Sequence, residues 1–175
     1  RLIGDNTDGR GFVRFLRDDA AVDPRGVHAI VLGAGGAARA VALALADAGA
    51  ARVVVAARRI EQAVSLAQPG GVLQAVGFDD GTLAREVAAA SLVINATPLG
   101  SAGEDPPFDP AALGDHHAVV DLVYHPETTP LVRTARGRGA IAVNGLGMLV
   151  YQAALSFEAW TGVAAPIDAM RSAVS

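Results

Sequence analysis

Apolar runs of two kinds alternate along this chain. Short ones carry Val, Ile and Leu without a polar residue at every second position; longer ones are rich in Ala and carry charges at helical spacing. The first kind predicts strands over residues 27–35, 51–57, 91–97, 117–124 and 140–143, with 71–78 as a further strand. The second predicts helices over 36–49, 59–68, 80–90, 129–139 and 146–160, and a last one from about Pro166. The helix over 80–90 is expected to start near Asp80 or Thr82. The next has Pro130 in its first turn, where a missing N–H leaves no intrahelical bond unmade. Upstream, GDNTDGRGFVRFLRD reads as a turn followed by a helix, with Asn6, Thr7 and Asp8 as capping residues.

Strands without polar alternation are buried on both faces, and helices between them imply a parallel sheet covered on each side. Right-handed crossovers make the doubly wound arrangement the default. The expectation is an α/β fold: a doubly wound, mainly parallel six-stranded sheet with helices on both faces. Residues 98–115, rich in Gly, Pro and Asp, predict a surface loop beside a binding cleft.

Composition narrows the chemistry. The 175 residues suit one ordinary domain, and a net charge of −4 offers no attraction for nucleic-acid phosphates or an anionic membrane. No apolar run approaches the roughly 18 residues of a spanning helix; even Val41 to Val55 contains Asp47 and Arg52. Apolar residues make up 51% but aromatics 5%, so the core must be built from small aliphatic side chains. The absence of Cys excludes disulfides, thiolate metal sites and thiol nucleophiles. All 14 basic residues are Arg, which leaves no amine for proton shuttling or Schiff-base chemistry. His28, His116, His117 and His125 lack metal-ligand spacing, so no metal is expected, and the adjacent pair should point to opposite sides of a strand. No G-x-S-x-G nucleophile turn is present. The chain opens at Arg1, without Met or a signal-peptide pattern, and is expected to be part of a longer protein.

One motif carries specific chemistry. Gly33-Ala34-Gly35-Gly36-Ala37-Ala38 matches G-x-G-x-x-A between the first strand of the alternating run and the helix after it. The first Gly allows the tight turn, the second lets backbone approach a pyrophosphate, and the small Ala38 lets helix and strand pack closely. Free N–H groups at the helix start then favour phosphate. A Rossmann-type dinucleotide site over Gly33 to Ala37 is the expectation; a tight turn that binds no nucleotide is the alternative. NAD readers place an acid at the end of the next strand, whereas this chain has Ala57-Arg58-Arg59. Guanidinium groups there can grip a 2′-phosphate, which points to NADP; a solvated helix start is the plainer reading. Asn95 and Thr97 end a strand at the same sheet edge and either meet the cofactor ribose or satisfy loop backbone groups.

With these residues in hand, the chain resembles the C-terminal, NADP-binding part of the shikimate dehydrogenases and their quinate/shikimate neighbours. The resemblance runs from GDNTDGRGF (4–12) through GAGGAARA (33–40), INATPLG (94–100) and DLVYHPETTPLVRTARGRG (121–139) to NGLGMLVYQAALSFEAWTG (144–162). It implies a cytoplasmic oxidoreductase of aromatic amino-acid biosynthesis that reduces 3-dehydroshikimate with NADPH. It also implies an N-terminal substrate domain, absent from this chain, that carries a catalytic lysine. The N-T-D aspartate pairs with that lysine, which implies catalysis and substrate contact for Asp8. Substrate contacts are implied for Tyr124 and Gln152, and nicotinamide-side positions for Leu122, Gly145 and Met148. Residues 1–20 are expected to form a connecting segment and first helix, 21–162 the cofactor domain and 163–175 a terminal helix. The family's N-R-T after the second strand is departed from, since Asn is lost, Thr becomes Arg59 and a further family Arg is Gln62. A stand-alone dinucleotide-binding module without catalysis, a quinate/shikimate enzyme and a homodimer remain open alternatives.

Overall fold

A computed structural model describes residues 4–67, 70–79 and 81–174. Six strands form one sheet: β1 (His28–Leu32), β2 (Arg52–Ala57), β3 (Leu73–Gly77), β4 (Leu92–Asn95), β5 (Ala118–Asp121) and β6 (Ile141–Asn144). Among the described residues, seven α-helices accompany them: α1 (Asp8–Asp18), α2 (Gly36–Asp47), α3 (Ile60–Val64), α4 (Leu83–Ala89), α5 (Pro130–Gly137), α6 (Leu146–Thr161) and α7 (Ile167–Ser172). The strand order is β3-β2-β1-β4-β5-β6 and all five pairings are parallel, so the sheet is wholly rather than mainly parallel. The order reverses between β1 and β4, and that switch point is where ligands of open α/β sheets bind, beyond the carboxyl ends of the strands.

Period-two alternation divides the sheet between two cores. Ala29, Val31, Val53, Val55, Leu92 and Ile94 face the layer of α1, α2 and α6. Ile30, Leu32, Val54, Ala56 and Val93 face the layer of α4 and α5. All of these side chains are fully buried, which is why the central strands show no polar alternation. The edge strands differ from the expectation of burial on both faces: β3 is partly exposed along its length, and Ile141 opens β6 at 58% exposure. An edge strand lacks a neighbour on one side and is only partly covered by helices.

Helices α2 to α5 are shorter than their apolar runs, whereas α6 extends one residue beyond its own. The helix expected over 59–68 ends at Val64, and Gln68 lies outside the described residues. Asp80 also lies outside them, while Thr82 stands at the N-cap of α4. Within the expected loop over 98–115, Pro110–Ala112 form a 3₁₀ turn capped by Asp109, whose carboxylate accepts from the Ala111 amide at 2.8 Å. The adjacent histidines do not point apart. Both precede the first residue of β5, so strand alternation does not apply, and their ring centroids are 3.9 Å apart. Gly114 N–H donates to His117 Nδ1 (2.9 Å), leaving Nε2 to donate to Val87 O (2.9 Å), a structural role for a buried imidazole.

Helix α1 is wedged between α2 and α6 by two glycines. A Cβ at Gly9 would come within 2.9 Å of Ala40 O, and one at Gly11 within 2.6 Å of the Gln152 backbone nitrogen. These approaches let Phe12, Phe15 and Leu16 enter the core. Gly11→Ala therefore has the opposite sign from an ordinary helical Gly→Ala, which gains about 0.5–1 kcal/mol. Forcing α1 and α6 apart is expected to cost about 1–3 kcal/mol, read as a fall in Tm. A rise in Tm would contradict the close crossing. Helix α7 is tied to the same layer by Arg171, which pairs with the Asp19 carboxylate (2.8 and 3.0 Å), while Tyr151 Oη donates to Asp19 (3.0 Å).

Candidate functional site

A cleft of about 420 Å³ opens at the carboxyl ends of β1, β2, β3 and β4. Its floor is the turn between β1 and α2. Gly33 has φ +109°, a conformation that disfavours a side chain, and a Cβ there would also lie 2.8 Å from Ala96 O. Its amide donates to Ala56 O (2.7 Å), which locks the turn against β2. Gly35 and Gly36 differ from Gly33: their backbone is unconstrained by neighbours, with open space where a Cβ would stand. Gly35 caps α2 without a side chain, so the first amides of that helix have no intrahelical acceptor. Ala37 is exposed beside them, and Ala38 is fully buried where α2 meets the sheet. Ala34 lines the cleft with the two flanking glycines.

The wall from β2 is cationic. Ala57 ends the strand, and Arg58, Arg59 and Gln62 line the cleft together. Both arginines are exposed, and neither guanidinium has a hydrogen bond or ion pair among the described residues. By contrast Arg52, at the other end of β2, is bound to Glu86 and Gln74. Phe78 adds an aromatic side to the cleft, which the sequence reading did not single out; its signal was an aromatic residue immediately after an edge strand.

The opposite wall is Ala96, Thr97, Pro98 and Leu99. Asn95 beneath it is 3% exposed and its amide is fully engaged. Nδ2 donates to Leu99 O (2.9 Å) and Asp121 Oδ1 (2.8 Å), while Oδ1 accepts from Thr97 N (3.1 Å) and Thr97 Oγ1 (2.6 Å). Of the two roles open to Asn95, this geometry favours holding the loop, whereas Thr97 itself faces the cleft. Glu104 clamps the outer part of the loop by accepting from the Gly100 and Ala102 amides (both 3.0 Å), and these backbone donors with its own amide hold its carboxyl below the usual range.

Further along the sheet edge, Leu122 and Gly145 come together. A Cβ at Gly145 would lie 2.5 Å from Leu122 O, so only glycine permits this approach of the chain after β6 to the chain after β5. Tyr124 stands on the same segment at 50% exposure. Met148, in the first turns of α6, is 8% exposed and belongs to the core beneath.

Asp8 and Gln152 lie at the α1–α6 seam and are not among the residues that line this cleft. Thr7, not Asp8, is the N-cap of α1, and its hydroxyl is 3.0 Å from Ser156 Oγ rather than on the helix amides. Asp8 is the first helical residue, and its carboxylate has no hydrogen-bond partner among the described residues. It lies one turn before Gly11, the glycine against the Gln152 backbone, so both side chains belong to one crossing. Gln152 is half-buried and donates from Nε2 to Leu149 O (3.1 Å).

Known proteins are similar to this chain in sequence and in fold. A family model described as shikimate/quinate 5-dehydrogenase matches residues 19–101, and one described as the shikimate 5′-dehydrogenase C-terminal domain matches residues 145–174. The shikimate dehydrogenase (NADP(+)) of Methanopyrus kandleri is 44% identical over 182 residues, covering 99% of this chain and 63% of that protein. That of Acidiphilium cryptum is 48% identical over 170 residues, covering 95% and 59%. A solved shikimate 5-dehydrogenase of Thermus thermophilus, in complex with NADP(H) and shikimate, superposes with a TM-score of 0.86 at 37% identity, covering 99% of this chain and 63% of that one. The chain thus spans about three-fifths of the length of these relatives. The two family models fall on separate parts of it, and nearly all of it aligns with shikimate dehydrogenases in sequence and in space; the chain belongs to the shikimate dehydrogenase family.

Proposed function

We propose that this chain is the NADP-binding, C-terminal part of a shikimate dehydrogenase, an oxidoreductase that interconverts 3-dehydroshikimate and shikimate. The observation that carries the reading is the cleft itself: a glycine turn with open space at Gly35 and Gly36, facing two unpartnered arginines where an NAD reader has an acid. The fit of a dinucleotide is supported by both ends. Amides of Gly35, Gly36 and Ala37 at the start of α2 suit a pyrophosphate, and Arg58 with Arg59 suits a 2′-phosphate. Arg59 stands in for the Thr usual in the family and Gln62 for a further Arg, so the wall keeps two cations, side by side at its strand end. NADPH, when bound, supplies the hydride.

The chain's remaining residues serve the reacting end. Hydride delivery to a ketone leaves an alkoxide that an acid must protonate. Asp8, with its carboxylate free at the start of α1, orients a lysine of the substrate domain and stabilises the ammonium form. Gln152 and Tyr124 hold substrate hydroxyls, and the Leu122–Gly145 approach shapes the nicotinamide side. The preceding substrate domain is the main partner, with shikimate or 3-dehydroshikimate as ligand. A cytoplasmic location, a homodimer and the absence of nucleic-acid or membrane partners belong to the same reading. Among the described residues, no helix is long and apolar enough to cross a membrane.

Shikimate oxidation with NADP by the 175-residue chain alone, at high protein concentration, tests the division of labour. No turnover is expected, because the chain contains no lysine, whereas fusion to the substrate domain of a relative should restore it. Turnover by the chain alone that tracks the purified protein would overturn the assignment of the proton donor to the other domain.

A further inference from the structure

Asp121 ends β5 with no solvent exposure. A carboxylate there is costly unless donors fill its oxygens. Oδ1 accepts from Asn95 Nδ2 (2.8 Å) and from the Val123 amide (3.1 Å), and Oδ2 accepts from Thr129 Oγ1 (2.5 Å). Among the described residues no arginine or histidine pairs with it. Burial pushes its pKa up, against the pull of the Thr129, Val123 and Asn95 hydrogen bonds. A raised carboxyl pKa means that its contribution to stability is full below the unfolded value of 3.8 and is lost as pH rises through the folded value.

The three donors come from three different places. Asn95 ends β4 and, through its own amide, holds Thr97 and Leu99 in the cleft wall. Val123 lies between Leu122 and Tyr124. Thr129 caps α5 by accepting from the Val132 amide (3.3 Å).

We infer that Asp121 is a positioning residue whose carboxylate ties the Thr97–Leu99 wall of the cleft to the Leu122–Tyr124 segment and sets their spacing. The inference rests on reading the cleft as the dinucleotide site. Asp121→Asn keeps the shape and the acceptor at Oδ1. It replaces a charged acceptor by a neutral one of roughly half the strength, and reverses the bond to Thr129. Thr129→Val deletes the donor to Oδ2, while Thr129→Ser retains it.

The test uses the 175-residue chain with two readouts: amide hydrogen exchange without ligand, and NADPH affinity by nicotinamide fluorescence. In Asp121→Asn the Thr97, Leu99 and Val123 amides should exchange about tenfold faster, and the Kd for NADPH should rise by about the same factor, the size of one hydrogen bond to a charged group. Amides of β1 and β2 should keep their protection. Thr129→Val should move both readouts in the same direction, and Thr129→Ser should behave as the unmodified chain. Should Asp121→Asn fail to fold, the Thr129 pair decides by the same criteria. Unchanged exchange and affinity in the folded variants would overturn the inference, as would exchange that rises equally throughout β1 and β2. Failure of the unmodified chain to bind NADPH would instead count against the dinucleotide reading, with the exchange pattern still deciding whether Asp121 ties the two segments.

Discussion

In the enzyme completed by its substrate domain, Asp8→Asn is expected to lower kcat by about 10²–10⁴-fold, the usual contribution of general acid–base catalysis. The substitution preserves size and some hydrogen bonding but removes the charge that orients a lysine and stabilises its proton. Cofactor affinity should hardly change, because the proposed phosphate site is the turn from Gly33 to Ala37 and not α1. A capping role predicts a different outcome, since Asn caps as well as Asp. In the structure Thr7 occupies the N-cap, and the Asp8 carboxylate accepts no hydrogen bond from the helix amides among the described residues. Measuring kcat, NADPH Kd and Tm on the one variant separates the two readings. A kcat within a few-fold of the unmodified enzyme would reject the catalytic role.

The second large effect belongs to Arg58→Ala. Two charge-assisted hydrogen bonds to a 2′-phosphate supply roughly 2–4 kcal/mol, a preference of about 30- to 1000-fold. Removing the Arg58 guanidinium should weaken NADPH binding toward the NADH value and leave NADH affinity nearly unchanged. Stability should hardly move, because Arg58 is exposed and holds no ion pair among the described residues. An equal loss for both nucleotides would mean that Arg58 shapes the cleft without reading the phosphate. Arg59, the N-cap residue of α3 on the same wall, retains part of the attraction.

Much of this architecture was legible because its signals are local. The uninterrupted apolar runs of β1, β2 and β4 reflect burial on both faces, and Gly33 sits where the turn requires a glycine, with open space at Gly35 and Gly36 beside it. Edge exposure in β3 and β6 was not legible, since it depends on which strands acquire two neighbours. The expectation for His116 and His117 failed for a boundary reason: the strand begins at Ala118, after both histidines, so neither takes part in its alternation. The role of Asp121 was hidden for another reason. Its donors Asn95 and Thr129 are 26 and 8 residues away, so the buried carboxylate makes sense only once β4, β5 and α5 are packed together. A charged residue at the end of an apolar strand was the trace it left in the sequence.

The most direct test of the account is the ratio of NADH to NADPH dissociation constants for the 175-residue chain, taken from paired fluorescence titrations at one ionic strength. The chain is predicted to bind NADPH saturably and more tightly than NADH by about 30-fold or more, as two guanidinium contacts to a 2′-phosphate require. Equal affinities, tighter binding of NADH, or no saturable binding of either would contradict it.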